Sequence, residues 1–228
     1  MEFKKIFNKR TIKKIEDKVN LLGISSKNDA VTILSTRLIT SIFFFVCIFS
    51  LFDYGYILAV VFVIVYYFLF EYIVLDSKIK KREKKINDEA IYFFEVLTLS
   101  LQTGRNLAEA ITITVNSVEG ELSLEFKEAL RQTKFGKSLT ESLNDMQKRI
   151  PSDSINNIIL ALTQANVYGS SIISTLNNQI DYLREKRKME IKATISKIPT
   201  KISVISVFFF IPLILLIILG PILLGFLE

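Results

Sequence analysis

The chain has 228 residues, 50% of them hydrophobic and 23% charged, with a formal net charge of +6, one cysteine and no histidine. The missing His excludes Ser-His-Asp triads, His-based zinc sites and histidine phosphorelay, and the lone Cys47 leaves neither a disulfide nor a catalytic Cys-His pair. No Gly-x-x-x-x-Gly-Lys loop occurs, so the chain is not itself a P-loop ATPase.

Residues 1–35 read as a cytoplasmic, basic, amphipathic segment. Phe3, Phe7, Ile15, Val19 and Leu22 recur at helical spacing, with Lys4, Lys5, Lys9, Arg10, Lys13 and Lys14 around them. Two placements fit: on the inner leaflet of a membrane, or packed against the cytoplasmic domain. The first apolar run begins only at Leu38, too late for a secretory signal peptide.

Three apolar stretches follow, at 38–52, 56–75 and 202–227. The first is short, roughly 22 Å as a helix against a hydrocarbon core of roughly 30 Å. Extending it back through Thr36 and Arg37 closes much of the gap, with Arg37 expected to snorkel to the head groups. One helix over 38–75 is the rival reading, but it places Asp53 near mid-membrane at about 2.5–3.5 kcal/mol. Asp53-Tyr54-Gly55 is also a ready turn, so residues 36–75 are expected to form a two-span hairpin. Residues 202–228 form the third span, with Pro212 and Gly220-Pro221 expected to kink it. Residues 1–37 hold nine basic residues and 76–201 hold the other twenty of the 29. Basic residues near spans stay cytoplasmic. The N-terminus and residues 76–201 are therefore expected inside, with the C-terminus outside. The net charge then reflects orientation and attraction to anionic membrane lipid, with no nucleic acid implied.

Residues 76–201 repeat. Gly104-Arg-Asn-Leu-Ala-Glu-Ala-Ile, Gly136-Lys-Ser-Leu-Thr-Glu-Ser-Leu and Gly169-Ser-Ser-Ile-Ile-Ser-Thr-Leu begin 32 and 33 residues apart. Each Gly is suited to end a helix in the left-handed conformation, and Asn106, Ser138 and Ser171 are suited to cap the next. Glu109 and Glu141 are expected to complete capping boxes; the third corner lacks that Glu. Apolar pairs follow each cap: Leu107 and Ile111, Leu139 and Leu143, Ile172 and Leu176. The bland reading of the glycines is helix punctuation. The functional surplus is a set of short basic tips, Arg105, Lys134 and Lys137, available to a partner.

Helical stripes fill the rest. Ala90, Phe93, Phe94, Leu97 and Leu101 form one, and Leu124 and Leu130 mark a helix over 121–133. Ile155, Ile158, Ile159, Leu162 and Ala165 form another after Ser152 or Ser154 as cap. Ile172, Leu176, Ile180, Leu183, Ile191, Ile195 and Ile198 mark a long last helix, and its charged run at 184–188 reads as a solvated face. No run alternates as a strand does. The expected fold class is all-α: an integral membrane protein with a cytoplasmic antiparallel helical bundle and three transmembrane helices.

Leu97-x-x-Ser-Leu-Gln-Thr-Gly-Arg-Asn-Leu-x-x-Ala110 resembles a motif of the type II secretion system F domain. Phe135-Gly-Lys-Ser-Leu-x-x-Ser-Leu143 resembles the central motif of that family and Ala165-Asn-Val-Tyr-Gly-Ser-Ser-Ile172 its third. The tail is most similar to Tad pilus assembly (TadC-like) members: a charged helix over 183–190, Lys197-x-Pro199-x-Lys201 at the membrane, and a Pro-interrupted span ending near Leu219-Gly220-Pro221. The resemblance covers about residues 85–225. It implies a non-enzymatic membrane platform without cofactors, set between a hexameric pilus assembly ATPase and pilin subunits, with a homologous second platform subunit (TadB-like) as partner. The last helix then acts as a lever, with a bend at Pro199. A small transporter or channel is the alternative, although Arg37, Asp53 and Glu71 all lie near span ends. A membrane-anchored signalling adaptor is another.

Overall fold

The structure, a computed structural model, describes residues 9–24, 30–51, 55–168 and 171–225. Those residues contain no strand. Their helices are α1 (Lys9–Asn20), α2 (Ala30–Leu51), α3 (Gly55–Glu71), α4 (Ser77–Gln102), α5 (Leu107–Ser117), α6 (Glu121–Lys134), α7 (Leu139–Gln147), α8 (Asp153–Tyr168) and α9 (Ile172–Gly225), and a π-helical turn, Tyr72–Asp76, joins α3 to α4. The chain forms two compact units, Met1–Ile180 and Asp181–Glu228.

In the first unit, α2 and α3 are separate antiparallel neighbours, so the single 38–75 helix does not form. Phe44 packs on Phe62 and Tyr66 with ring centroids 5.8 and 5.2 Å apart, and the Tyr66 hydroxyl donates to Thr40 Oγ1 at 2.8 Å. The turn residues Asp53 and Tyr54 lie outside the described residues. Arg37 does not snorkel. It is 5% exposed, lies over the Tyr67 ring at 3.4 Å, donates to the Tyr67 carbonyl and pairs with Glu71 at 3.5 Å. A guanidinium in an apolar hairpin is cheaper when a carboxylate and a carbonyl are within reach than when it must stretch to solvent alone.

The apolar face of α1 is taken by the foot of this hairpin. Ile12 and Ile15 are buried with Ala30, Ile33, Leu34 and Leu75, and Val19, Leu22 and Phe70 pack at the edge. Lys13, Lys14, Glu16 and Asp17 face outward. Lys18 reaches both Glu71 (2.7 Å) and Asp76 (2.8 Å). Phe3 and Phe7 lie outside the described residues.

Helices α4 to α8 and the start of α9 enclose a second core. Ile86, Ala90, Phe93, Phe94 and Leu97 lie along one face of α4, and all are fully buried. Phe93 stacks on Phe126 of α6 at 4.7 Å, and Phe94 meets Phe93 edge-on at 5.5 Å. From α8 come Ile155, Ile158, Ile159, Leu162 and Ala165, and from α9 Leu176 and Ile180. The helix expected over 121–133 forms as α6, but Leu124 does not mark its core face. Leu124 is 56% exposed, while Leu122, Glu125, Phe126 and Ala129 face inward. Phe126 carries the larger apolar area and sets the rotation of the helix, which turns Leu124 out.

The second unit is helical from Asp181 through Gly225, and the backbone stays helical through Pro199, Pro212 and Gly220-Pro221. Between Ile202 and Leu219 its apolar side chains are exposed, from 42% at Leu219 to 84% at Phe208, as expected of a helix whose surroundings are lipid. Three helical stretches, within α2, α3–α4 and α9, are long and apolar enough to cross a membrane.

Candidate functional site

The corners of the bundle rest on backbone chemistry. Gly104 and Gly136 have φ of 81° and 96°, a region in which an L side chain costs about 1–2 kcal/mol. Each donates its N–H to a carbonyl of the helix just ended, Leu101 and Thr133, both at 3.0 Å. Lys137 N–H adds the longer return bond to Gln132 at 3.3 Å, so the second corner is a complete Schellman turn. Beyond it, Ser138 Oγ accepts from Glu141 N–H at 3.1 Å while the Glu141 carboxylate accepts from Ser138 N–H at 3.1 Å, a full capping box. At the first corner only half of that pair forms. Asn106 Oδ1 accepts from Glu109 N–H at 2.9 Å, but the Glu109 side chain does not return to the cap. Ser152 caps α8 through Ile155 N–H, and Ser171 caps α9 through Ser174 N–H, both at 3.4 Å. Gly169 lies outside the described residues.

The three basic tips do not form one cluster. Because α5 and α6 are antiparallel neighbours, the start of one lies beside the end of the other. Arg105 and Lys134 therefore border the same groove of about 880 Å³ between these helices. Lys137 does not line that groove. It is paired with Asp145 of α7 at 2.8 Å, and Lys148 holds the other oxygen of Asp145 at 2.7 Å. Lys137 first, then Lys148, holds the Asp145 carboxyl down to about 2. Arg131 forks onto Glu128 at 2.6 and 2.7 Å and lowers its pKa, and it lies 5.5 Å from the ring of Phe135, which is 77% exposed.

Beneath the groove lies a buried ion network. Glu125, 1% exposed, takes Arg82 Nη2 at 2.6 Å on one oxygen and Arg149 Nε at 2.8 Å on the other. Arg82 also donates to the carbonyls of Leu21 and Arg149 at 2.8 and 2.6 Å. It passes Gly23, where a Cβ would fall on the guanidinium. Ile24 N–H completes the set, donating to Glu125 at 3.4 Å. The network ties the end of α1, helix α4, helix α6 and the end of α7 together. Glu89 caps α6 from α4, accepting from Leu122 N–H at 3.2 Å. Sequence reasoning missed this network. Its signal was a charged residue, Glu125, in phase with Leu122, Phe126 and Ala129 on an apolar face. Among the described residues no group of His, Cys, Asp and Glu could hold a metal ion.

A helical bundle with tight glycine corners, attached to long apolar helices, is the setting in which the family comparison falls. Residues 93–220 match the type II secretion system (T2SS) protein F family. The chain belongs to that family. The match covers more than half of the 228 residues and runs from the core of α4 into the apolar part of α9. No curated protein and no solved structure matches the chain. Protein F family members are non-catalytic membrane platform proteins that work with secretion ATPases and other platform subunits. With three helices fit to cross a bilayer, this member is a membrane-inserted protein.

Proposed function

We propose that this protein is the Tad-type, TadC-like platform of a pilus assembly machine in the cytoplasmic membrane, coupling a hexameric assembly ATPase to pilin extraction and polymerisation. Family membership over 93–220 carries the reading, and the Tad-like tail, Lys197-x-Pro199-x-Lys201 followed by Pro212 and Gly220-Pro221, narrows it. The N-terminus and the bundle face the cytoplasm, because all 29 Lys and Arg fall in residues 1–37 and 76–201. With no P-loop of its own, the chain takes its work from the ATPase. It receives that work at the corner tips bearing Arg105, Lys134 and Lys137. Motion passes to pilins through the membrane helices, with Pro199, Pro212 and Gly220-Pro221 as the bending points and a TadB-like subunit completing the platform.

The test is co-purification of the ATPase together with a filament count. Arg105→Glu/Lys134→Glu and Lys137→Glu are compared with wild type, and protein level and membrane insertion are checked in each. Loss of ATPase and filaments with normal insertion is the expected result. Normal filaments in the Glu variants remove the tips from the coupling surface, and normal filaments in a deletion strain remove the platform role.

A further inference from the structure

The α5–α6 groove has a shape and charge that the corner residues alone do not explain. Its floor is apolar. Ala108, Thr112 and Val115 recur along α5, and Leu124 and Leu130 face them from α6. Leu124, at 56% exposed, leaves an apolar side chain open to water inside the groove; Leu99 and Leu160, the other strongly exposed leucines of α4 and α8, do not line it. The span of α6, 14 residues, is roughly 20 Å, the length that a three- to four-turn helix needs to lie alongside.

The charge is one-sided once internal pairs are removed. Glu121, Glu125 and Glu128 line the groove, but each is engaged: Glu121 by Arg82 and Lys85, Glu125 by Arg82 and Arg149, Glu128 by Arg131. Arg105, Lys127 and Lys134 are left on the rim without ion-pair partners among the described residues, against the single unpaired carboxylate of Glu109. A second copy of this chain, offering the same face, would set basic rim against basic rim. An apolar floor inside a basic rim instead fits a helix with an apolar stripe and acidic flanks.

We propose that this groove is a docking site for an acidic amphipathic helix of a partner protein. The apolar stripe sits over Leu124, and the acidic flanks meet Arg105, Lys127 and Lys134. That the helix belongs to the assembly ATPase rests on the function proposed above; the groove's preference for an acidic helix does not.

The experiment uses the full-length protein in phosphatidylcholine nanodiscs. The probes are two fluorescein-labelled designed helices with the same Leu stripe, one flanked by Glu and one by Lys, read by fluorescence anisotropy. The Glu-flanked helix is expected to bind and the Lys-flanked helix not. Leu124→Gln and Lys127→Glu/Lys134→Glu should each weaken binding by about tenfold or more. All three positions are exposed, so the fold is not at stake, and Lys81→Glu/Lys84→Glu on α4, which changes net charge equally outside the groove, should leave binding intact. Equal binding of both helices, or binding indifferent to Leu124→Gln, overturns the proposal. So does a disulfide between two copies at Thr112→Cys in a Cys47→Ser background, which would make a second copy the occupant. Docking of the Glu helix without ATPase co-purification upholds the groove and removes the ATPase as the source of its ligand. Absence of docking while the ATPase still co-purifies overturns the groove and leaves the platform reading in place.

Discussion

Replacing Glu125 by Gln keeps its size and removes its charge, which isolates the electrostatic role of the buried network. Two guanidiniums converge on this carboxylate, at 2.6 and 2.8 Å. The Arg82 side chain is 8% exposed and that of Arg149 19%, so water can take over little of what Gln fails to supply to Arg82. Breaking a buried pair by removing one partner costs about 3–5 kcal/mol. The two carbonyls that remain on Arg82 place Glu125→Gln at the lower end, about 3 kcal/mol. For a chain of this size each kcal/mol moves the Tm by about 2–4 °C, so a loss of roughly 6–12 °C is expected for the full-length protein in detergent, followed by circular dichroism. Arg149→Met should be milder, and Glu125→Gln/Arg149→Met should recover part of the loss, because the second change removes one stranded cation. A shift below about 1 °C for Glu125→Gln, or simple additivity in the double variant, would refute the view that these charges depend on one another.

Gly136→Val and Gly104→Val should each lower stability by about 1–2 kcal/mol or more, since a β-branched side chain is forced to positive φ where no neighbour needs to move; unchanged melting in the same thermal scan rejects the corner geometry. Gly23→Ala adds a steric conflict with Arg82 to the positive φ of 84°, so it should weaken protection of the α1 amides in hydrogen exchange more than those of α8. Asp145 is depressed from 3.8 to about 2 in the folded state, so its contribution is present above the unfolded value and is lost as pH falls from about 4 to 2. Asp145→Asn should therefore narrow the stability difference between pH 6 and pH 2.5, and 1 M salt should shrink the effect. For the orientation proposed here, Lys137→Cys in a Cys47→Ser background should resist an impermeant thiol reagent in intact cells and react after permeabilisation; labelling in intact cells reverses the topology.

The all-α fold and the three long apolar helices could be read from the chain because they depend on local pattern. Apolar runs set the spans, and the stripe on α4 ending at Leu101 sets a core face whatever packs against it. What escaped depends on partners distant in sequence. Arg37 looks like a snorkelling residue until Tyr67 and Glu71, 30 or more positions on, come alongside. Leu124 marks a helix, but nothing local turns its neighbour Glu125 inward until Arg82 and Arg149 arrive from elsewhere in the chain to hold the carboxylate. On α6 the apolar count is nearly the same for two rotations of the helix, and long-range charge pairing together with Phe126 selects one. Glu109 follows the capping-box pattern as Glu141 does, yet only Glu141 closes its box; residue type permits the bond, and side-chain freedom at an exposed corner decides whether it forms.

The π-helical turn Tyr72–Asp76 acts on the angular phase of the chain. In a regular α-helix, residues five apart point about 140° away from each other, and Glu71 and Asp76 could not both face Lys18. The wider turn brings them to one side, and a single ammonium holds both at 2.7 and 2.8 Å. The same turn sets how the lipid-exposed face of α3 is clocked against the core face of α4 that begins at Arg82 and Ile86. Removing one residue there would swing everything after it by about 100°, carrying Phe93 and Phe94 out of their core while leaving every helix intact. The orientation of the bundle face is thus stored as a count of residues at Tyr72–Asp76, fastened by one lysine from α1.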